Sequence, residues 1–456
     1  MTWRFLLAGL VGLAGAGGMG EEGPALPGAP LSGPAQGPDR TLSVPTEGDH
    51  ETRQALDPAA TYWVYVGAES ADYLHRIRFG PDGVEVEADI SMASLYRQSE
   101  VPELFTEHEA PHGVASDPRS GTVFMTTGHG LPDGKLWKLE GGTGRLLADP
   151  VDLGRFPASV GVSPDGNWVY VANFNLHGRM VPSSISVVYA PEMMELARVE
   201  TCTMPHGSRV HPSGRFHYST CMMDDQLVEI DGTELEVSRR FFLGAGEESP
   251  TDLSDMGFHA EEGERHAQHG DPAQVDPDPD HAGHGADHHH HTPAADDPAH
   301  PVPESPHYEA TCSPTWVQPS HDGERIYVAC NASDQVLELD HESWELTRRF
   351  DTGRGPYNVD VTADDRLLVI TLKQGDGVEF IDLESGERRA RLETSTRVVH
   401  GVALSPDSRY AFISVEGIGA EPGKVDIFDL STFERVESVP VRQQASGIAF
   451  WKMEEG

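Results

Sequence analysis

Three His-Gly pairs, at His112, His206 and His400, each open a short run that closes in a Ser-Pro-Asp-like turn: HGVASDPRSG, HGSRVHPSG and HGVALSPD. Imidazoles brought together from three such points suit Zn or Cu, which bind His nitrogen at roughly 2.0–2.1 Å and leave a coordination position open for water or substrate. The second pair lies in the dense stretch TCTMPHGSRVHPSGRFHYSTCMM, which also holds Met204, Met222, Met223 and two of the four cysteines. Thioethers are soft ligands and favour copper where they face the site. Met is equally a packing residue, and His211 and His217 fall on strand positions where packing or solvent contact is expected.

A circular fold would make histidines so far apart in the chain neighbours around a single axis. Short alternating runs recur between turn signals, as in VGVSPDG, WVYVANF and SISVVYA, then again in WVQPSHDG, RIYVACN and QVLELD, and a fourth run such as LARVETC closes each unit. Four strands per roughly 40–50 residues joined by Pro-Asp-Gly-like hairpins are the pattern of propeller blades. Six complete units run from about Ala110 to Gln444. The leftovers are complementary: TYWVYVGAES, YLHRIRF and VEVEADI supply the second to fourth strands of a blade, and SGIAFWK supplies its first. Joining them predicts an all-β fold over 61–452, a seven-bladed propeller of four antiparallel strands per blade in which N- and C-terminal strands share one blade, and closure protects edge strands that would otherwise invite aggregation.

Alignment of the first strands on their turns places His112, Ala158, His206, Thr315, Tyr357, His400 and Ser446 at one equivalent position beside the central channel. The three histidines then stand on the first, third and sixth complete blades, two, three and two steps apart. His129 and His177, in turns between second and third strands, share that face and are expected to support or extend the ligand set. A second reading stays open: a His-Gly pair at the start of a propeller strand can simply bond the neighbouring blade's backbone.

The cysteines take matching places. Cys202 and Cys221 flank the start of the third unit, and Cys312 and Cys330 the start of the fourth. Neighbouring strands are about 4.8 Å apart and a disulfide wants Cα atoms roughly 5.5–6 Å apart, so two within-blade bridges, Cys202–Cys221 and Cys312–Cys330, are expected. Residues 1–20, with one Arg, an apolar run and Ala14-Gly15-Ala16, predict a cleaved export signal, hence a periplasmic or secreted protein in an oxidising compartment. Residues 21–60 are Pro/Gly-rich and predict a disordered linker. Residues 252–306 predict a disordered His/Asp-rich insert on the same face as the histidines; 11 of the chain's 23 histidines lie between His259 and His307, and such clusters scavenge Zn, Cu or Ni loosely. With 74 acidic against 33 basic residues and a formal charge of −41, nucleic acid is not an expected partner. Neither is a membrane span, and a monomer is expected.

The units WVYVANFN, RIYVACNAS and SPDGNWVYV resemble the YVTN-type repeats of bacterial exported seven-bladed propellers. The resemblance implies the fold and leaves function open among binding proteins, lactonases and metal or quinone enzymes. MPHGSRVHPSGRF resembles the His-containing turn of bacterial seven-bladed lactonases and would cast Arg209, His206 and Glu416 as the catalytic group. The chain lacks the doubled His of that family. The channel histidines are similar in style to those of copper propellers such as nitrous oxide reductase, which implies a copper-dependent oxidoreductase as a further alternative. The reading taken forward is a binding propeller whose ligand is a metal ion, a small molecule or a protein on the open face, most specifically Cu or Zn on His112, His206 and His400.

Overall fold

A computed structural model describes residues 58–101, 109–129, 131–255 and 309–456. The expected signal segment, most of the 21–60 linker and most of the 252–306 insert lie outside the described residues.

Seven antiparallel sheets, each ordered from the axis outward, make a ring. The innermost strands are Val114–Ser116, Pro157–Val162, Pro205–Val210, Pro314–Pro319, Pro356–Val361 and Val399–Leu404 for complete blades one to six, and Ala445–Glu455 for the closing blade. That last strand pairs with Ala60–Ala68, matching Trp63 with Lys452 and Tyr65 with Ala449, so the two chain ends complete one four-stranded sheet as the leftover runs predicted. Blade three carries an additional outer strand, Ser249–Thr251.

Burial explains the sequence pattern. Second strands such as Trp168–Asn173 and Arg325–Cys330 lie between two neighbouring blades and are buried almost throughout, so they read as continuous apolar runs. Outer strands such as Glu345–Asp351 have one wet face and alternate. The apolar clusters accordingly sit between blades, Tyr218, Leu227 and Phe241 of blade three against Val317, Ile326 and Val328 of blade four, for example. The Ser-x-Asp turns close themselves: Ser163, Ser320, Thr362 and Ser405 donate to the carboxylate two residues on at 2.5–2.6 Å.

Both expected disulfides form, with Cα separations of 5.9 Å for Cys202–Cys221 and 4.5 Å for Cys312–Cys330. One differs in placement. The outer strand of blade two, Met194–Thr203, runs up to one residue short of blade three's first strand, so Cys202 belongs to blade two and its bridge ties two blades together. No helix among the described residues is long and apolar enough to cross a membrane.

Candidate metal centre at the channel mouth

One backbone device aims a side chain at the axis in every blade. Two residues before the aligned channel position the chain turns through the left-handed region: Ala110, Phe156, Met204, Ser313, Gly355, Val398 and Gln444 have φ of 50°, 45°, 57°, 45°, 64°, 67° and 59°. Only one is glycine, so six L-residues hold a conformation that costs each of them roughly 1–2 kcal/mol. Directly after it the ladder slips, between Pro205 and Ser208, Pro356 and Val359, and Val399 and Val402, and such a bulge re-aims the residue inside it. The freed N–H groups of Gly113, Gly207, Asn358 and Gly401 are taken by Thr126, Thr220, Thr371 and Ser414 hydroxyls at 2.8–3.0 Å. Glycine after the histidine is a packing requirement: a Cβ at Gly207 would stand 2.5 Å from the Thr315 oxygen and the Trp316 Cα of the next blade.

Four titratable rings therefore converge at the mouth. His112, His206 and His400 are buried, at 6%, 2% and 2% exposure, with Tyr357 beside them. The His112 and His400 rings lie 5.2 Å apart and nearly perpendicular. A second set comes from the residues that follow each second strand: Glu69, His129 one residue later in its turn, Phe174, Met222, Lys373 and Glu416. Glu69 belongs to the closing blade, where its amide and carboxylate both bond Gln444, at 3.0 and 2.9 Å.

Hydrogen-bond partners decide the tautomers. His206 Nδ1–H donates to the Thr315 carbonyl at 2.8 Å, leaving Nε2 to accept from the Tyr357 hydroxyl at 3.1 Å. Having spent its proton, Tyr357 can only accept from His400 Nε2, at 3.5 Å, which makes His400 Nδ1 a bare lone pair. His112 Nδ1–H donates to Glu69 Oε1 and His129 Nδ1–H to Glu69 Oε2, the latter at 2.9 Å. The remaining nitrogens, His112 Nε2, His129 Nε2 and His400 Nδ1, are buried without a hydrogen-bond partner. One donor atom from each of Glu69, His112 and His400 lies within 4.8 Å of the other two.

Burial keeps His206 and His400 neutral. Burial brings His206 down to about 3. Burial, then the Lys373 ammonium, holds His400 well below the ordinary imidazole value. For Glu69, burial alone would raise the carboxyl, but His112 and His129 outweigh it and hold it far below the usual range. Burial pushes the Tyr357 phenol up to about 12. Burial would lower the Lys373 ammonium, but Glu416, 2.8 Å away, keeps it above its usual range.

The remaining expected residues fall into place around this group. His177 stacks near His129 at 5.7 Å. Phe156, Ala158 and Phe174 form an apolar wall against which Met204 and Met222 pack. His217 stacks on Tyr170 and bonds Ser208, and His211 bonds Ser213 and the Gly323 carbonyl, so both serve packing. Arg209, His206 and Glu416 are not one constellation: Glu416 pairs with Lys373 at the mouth, while Arg209 lies three residues further along its strand, in the channel. Glu69, Tyr357 and Lys373 were not singled out from the sequence. Aligning the residues after each second strand, as was done for those opening the first, would have found Glu69 and Lys373.

Residues 308–451 match the family described as YNCE-like beta-propeller. No curated protein sequence matches the chain at a significant level. Among solved structures, the periplasmic gluconolactonase of Pseudomonas aeruginosa is similar at a TM-score of 0.56 and 16% identity, covering 86% of this chain and 99% of that one. A candidate 6-phosphogluconolactonase of Bacteroides uniformis gives 0.55 and 13%, with the same coverage. Hydrazine synthase of Kuenenia stuttgartiensis gives 0.52 and 17%, covering 76% of this chain and 93% of that one. At such identities the likeness is one of fold. Seven sheets closed by the two chain ends make this chain a seven-bladed propeller, similar over residues 308–451 to YNCE-like beta-propellers.

Proposed function

We propose that this chain is an exported binding propeller that holds one divalent transition metal, Zn or Cu, at the channel mouth. His112 and His400 supply imidazole nitrogen, with the bare His129 nitrogen beside them, and Glu69 holds His112 and His129 through their Nδ1 atoms. The observation that carries the reading is the set of three buried imidazole nitrogens with no hydrogen-bond partner. Leaving a buried acceptor unsatisfied costs about 1–3 kcal/mol, and a cation turns that cost into bonding. A carboxylate on the far nitrogen of a ligating His fixes its ring and raises its basicity, which is the place Glu69 occupies beside His112 and His129. His206 spends both nitrogens on Thr315 and Tyr357 and is read as a positioning residue for His400, acting through Tyr357. Two disulfides suit an oxidising compartment outside the cytosol.

Metal analysis of purified protein tests this. After dialysis against Zn or Cu, the full chain and a chain lacking 256–308 are expected to retain one tightly held ion that the double variant His112→Gln/His400→Gln loses. Metal that disappears with the insert and persists in the double variant would overturn the reading in favour of loose scavenging by the His-rich segment.

A second reading, lactone hydrolysis, is favoured by the two structural neighbours named for it and by the His206, Tyr357, Lys373 and Glu416 group at the same mouth. Turnover of a lactone panel by metal-stripped protein, abolished by His206→Gln, would establish it; no turnover with or without metal would remove it.

A further inference from the structure

Beyond the mouth, the channel holds a second tier that the metal reading does not use. Three residues past the mouth position, the seven innermost strands present Ala115, Gly161, Arg209, Gln318, Asp360, Ala403 and Ala449. The polar three stand on consecutive blades, three, four and five, and the other four are small. The consequence is a chamber of about 240 Å³, lined by Arg209 and Asp360 on one side and by Gly161, Ala403 and Ala449 on the other. Its lining runs along the middle and C-terminal residues of the innermost strands, away from the histidines.

Arg209 is built as a receptor. Its guanidinium stacks 4.9 Å from the Trp316 ring, Nε donates to Gln318 Oε1 at 3.0 Å and Nη1 to the Ser208 carbonyl at 3.0 Å. Three contacts fix the plane of the fork, and no carboxylate lies within ion-pairing distance of it among the described residues. A partly buried cation held rigid with no carboxylate in direct contact costs free energy that an anion on its open edge would recover. Asp360 shares the chamber but spends one oxygen on the Val361 amide at 2.9 Å. Burial raises its carboxyl, opposed by Arg209 and then His321, so the two charges feel each other across space that water or a ligand fills.

We infer that this chamber binds a small carboxylate that also carries a hydrogen-bond donor: the carboxylate takes the free edge of the Arg209 fork and the donor reaches Asp360. The four small residues opposite set the size limit. A two- to four-carbon hydroxy acid fits the volume. Arg recognises carboxylate through paired N–H donors, and Asp360 makes the site select against a plain fatty acid, whose methyl end would press on that carboxylate and offer it no donor.

Calorimetric titration of the full chain in chelator-treated buffer, with glycolate and with acetate as probes, tests this. Glycolate is expected to bind more tightly than acetate. Arg209→Gln should weaken glycolate at least about tenfold, and Asp360→Leu should bring the two probes level. Ala449→Leu, which fills the chamber while leaving both charged groups in place, should abolish binding of either; thermal melts establish that each variant is folded. Absence of heat with both probes on wild-type protein, or glycolate binding untouched by both Arg209→Gln and Ala449→Leu, would overturn the proposal.

Discussion

The mouth has two arcs built on one backbone. On the arc around the chain closure, blades six, closing and one contribute His400, Glu69 and His112. On the adjoining arc, blade two contributes Ala158 at the same position, walled by Phe156 and Phe174. Both arcs share the left-handed residue two positions earlier and the slip in register that follows, so the geometry that aims side chains at the axis is common property of the fold. What differs is which side chains are aimed. Function on such a scaffold lies in the departures from the repeat, and those departures cluster where the chain ends meet, because Glu69 is tied to Gln444 across the closure.

The sharpest way to separate scaffold from chemistry is to damage each alone. Gly207→Ala strikes the scaffold: its Cβ would meet backbone of blade four at 2.5 Å, which cannot yield as a flexible side chain would. Loss of about 3 kcal/mol or more in urea unfolding is expected, with metal content of the folded protein unchanged. Gly161→Ala is the control, since its Cβ would come no closer than 3.4 Å to Val210 and should cost little. Equal destabilisation by the two substitutions would mean that the close approach of neighbouring strands is not what demands glycine after His206.

Acid probes the histidines that the scaffold itself keeps. Burial brings both His206 and His217 down to about 3 in the folded chain, from 6.5 when free. Between these limits the unfolded chain binds the extra protons, so stability is intact above about pH 6.5 and falls as pH drops toward 3. Each ring contributes a slope of about 1.4 kcal/mol per pH unit. Urea titrations of metal-free protein at stepwise lower pH should show that slope, and His217→Gln should remove one ring's share of it. A stability profile indifferent to both histidines would contradict their buried neutral state.

The ring was legible because it repeats. Every complete blade announces itself through a Ser-Pro-Asp-like turn, and the incomplete first and last units name each other. The mouth position was legible for the same reason, since it keeps a constant offset from those turns. Glu69 was hidden by connectivity: its neighbour Gln444 lies at the other end of the chain, and the turns after second strands vary in length, which blurs the column holding Glu69 and Lys373. His206 shows another limit. Residue type and spacing made it equal to His112 and His400, whereas the Thr315 carbonyl and the Tyr357 hydroxyl, which occupy its two nitrogens, are set by three-dimensional packing between blades three, four and five. Cys202 was assigned to the wrong blade because an outer strand and the next inner strand are separated by Met204 alone.

The smallest effect tests the shared device directly. Ala110 and Gly355 hold equivalent left-handed positions, with φ of 50° and 64°, one on the arc of His112 and Glu69 and one on blade five. If the turn is imposed by the scaffold, Ala110→Gly should relieve strain and stabilise the protein by about 0.5–1 kcal/mol, the unfolded chain's added freedom taking back part of the gain. Gly355→Ala should cost at least as much, because its Cβ would also press on Gln374 at 2.7 Å. Opposite signs in paired thermal melts would show that the backbone, not the residue type, dictates this turn in every blade. Matching signs would mean that the two arcs are held by different local forces, and that the uniform aim of the seven side chains has separate causes around the ring.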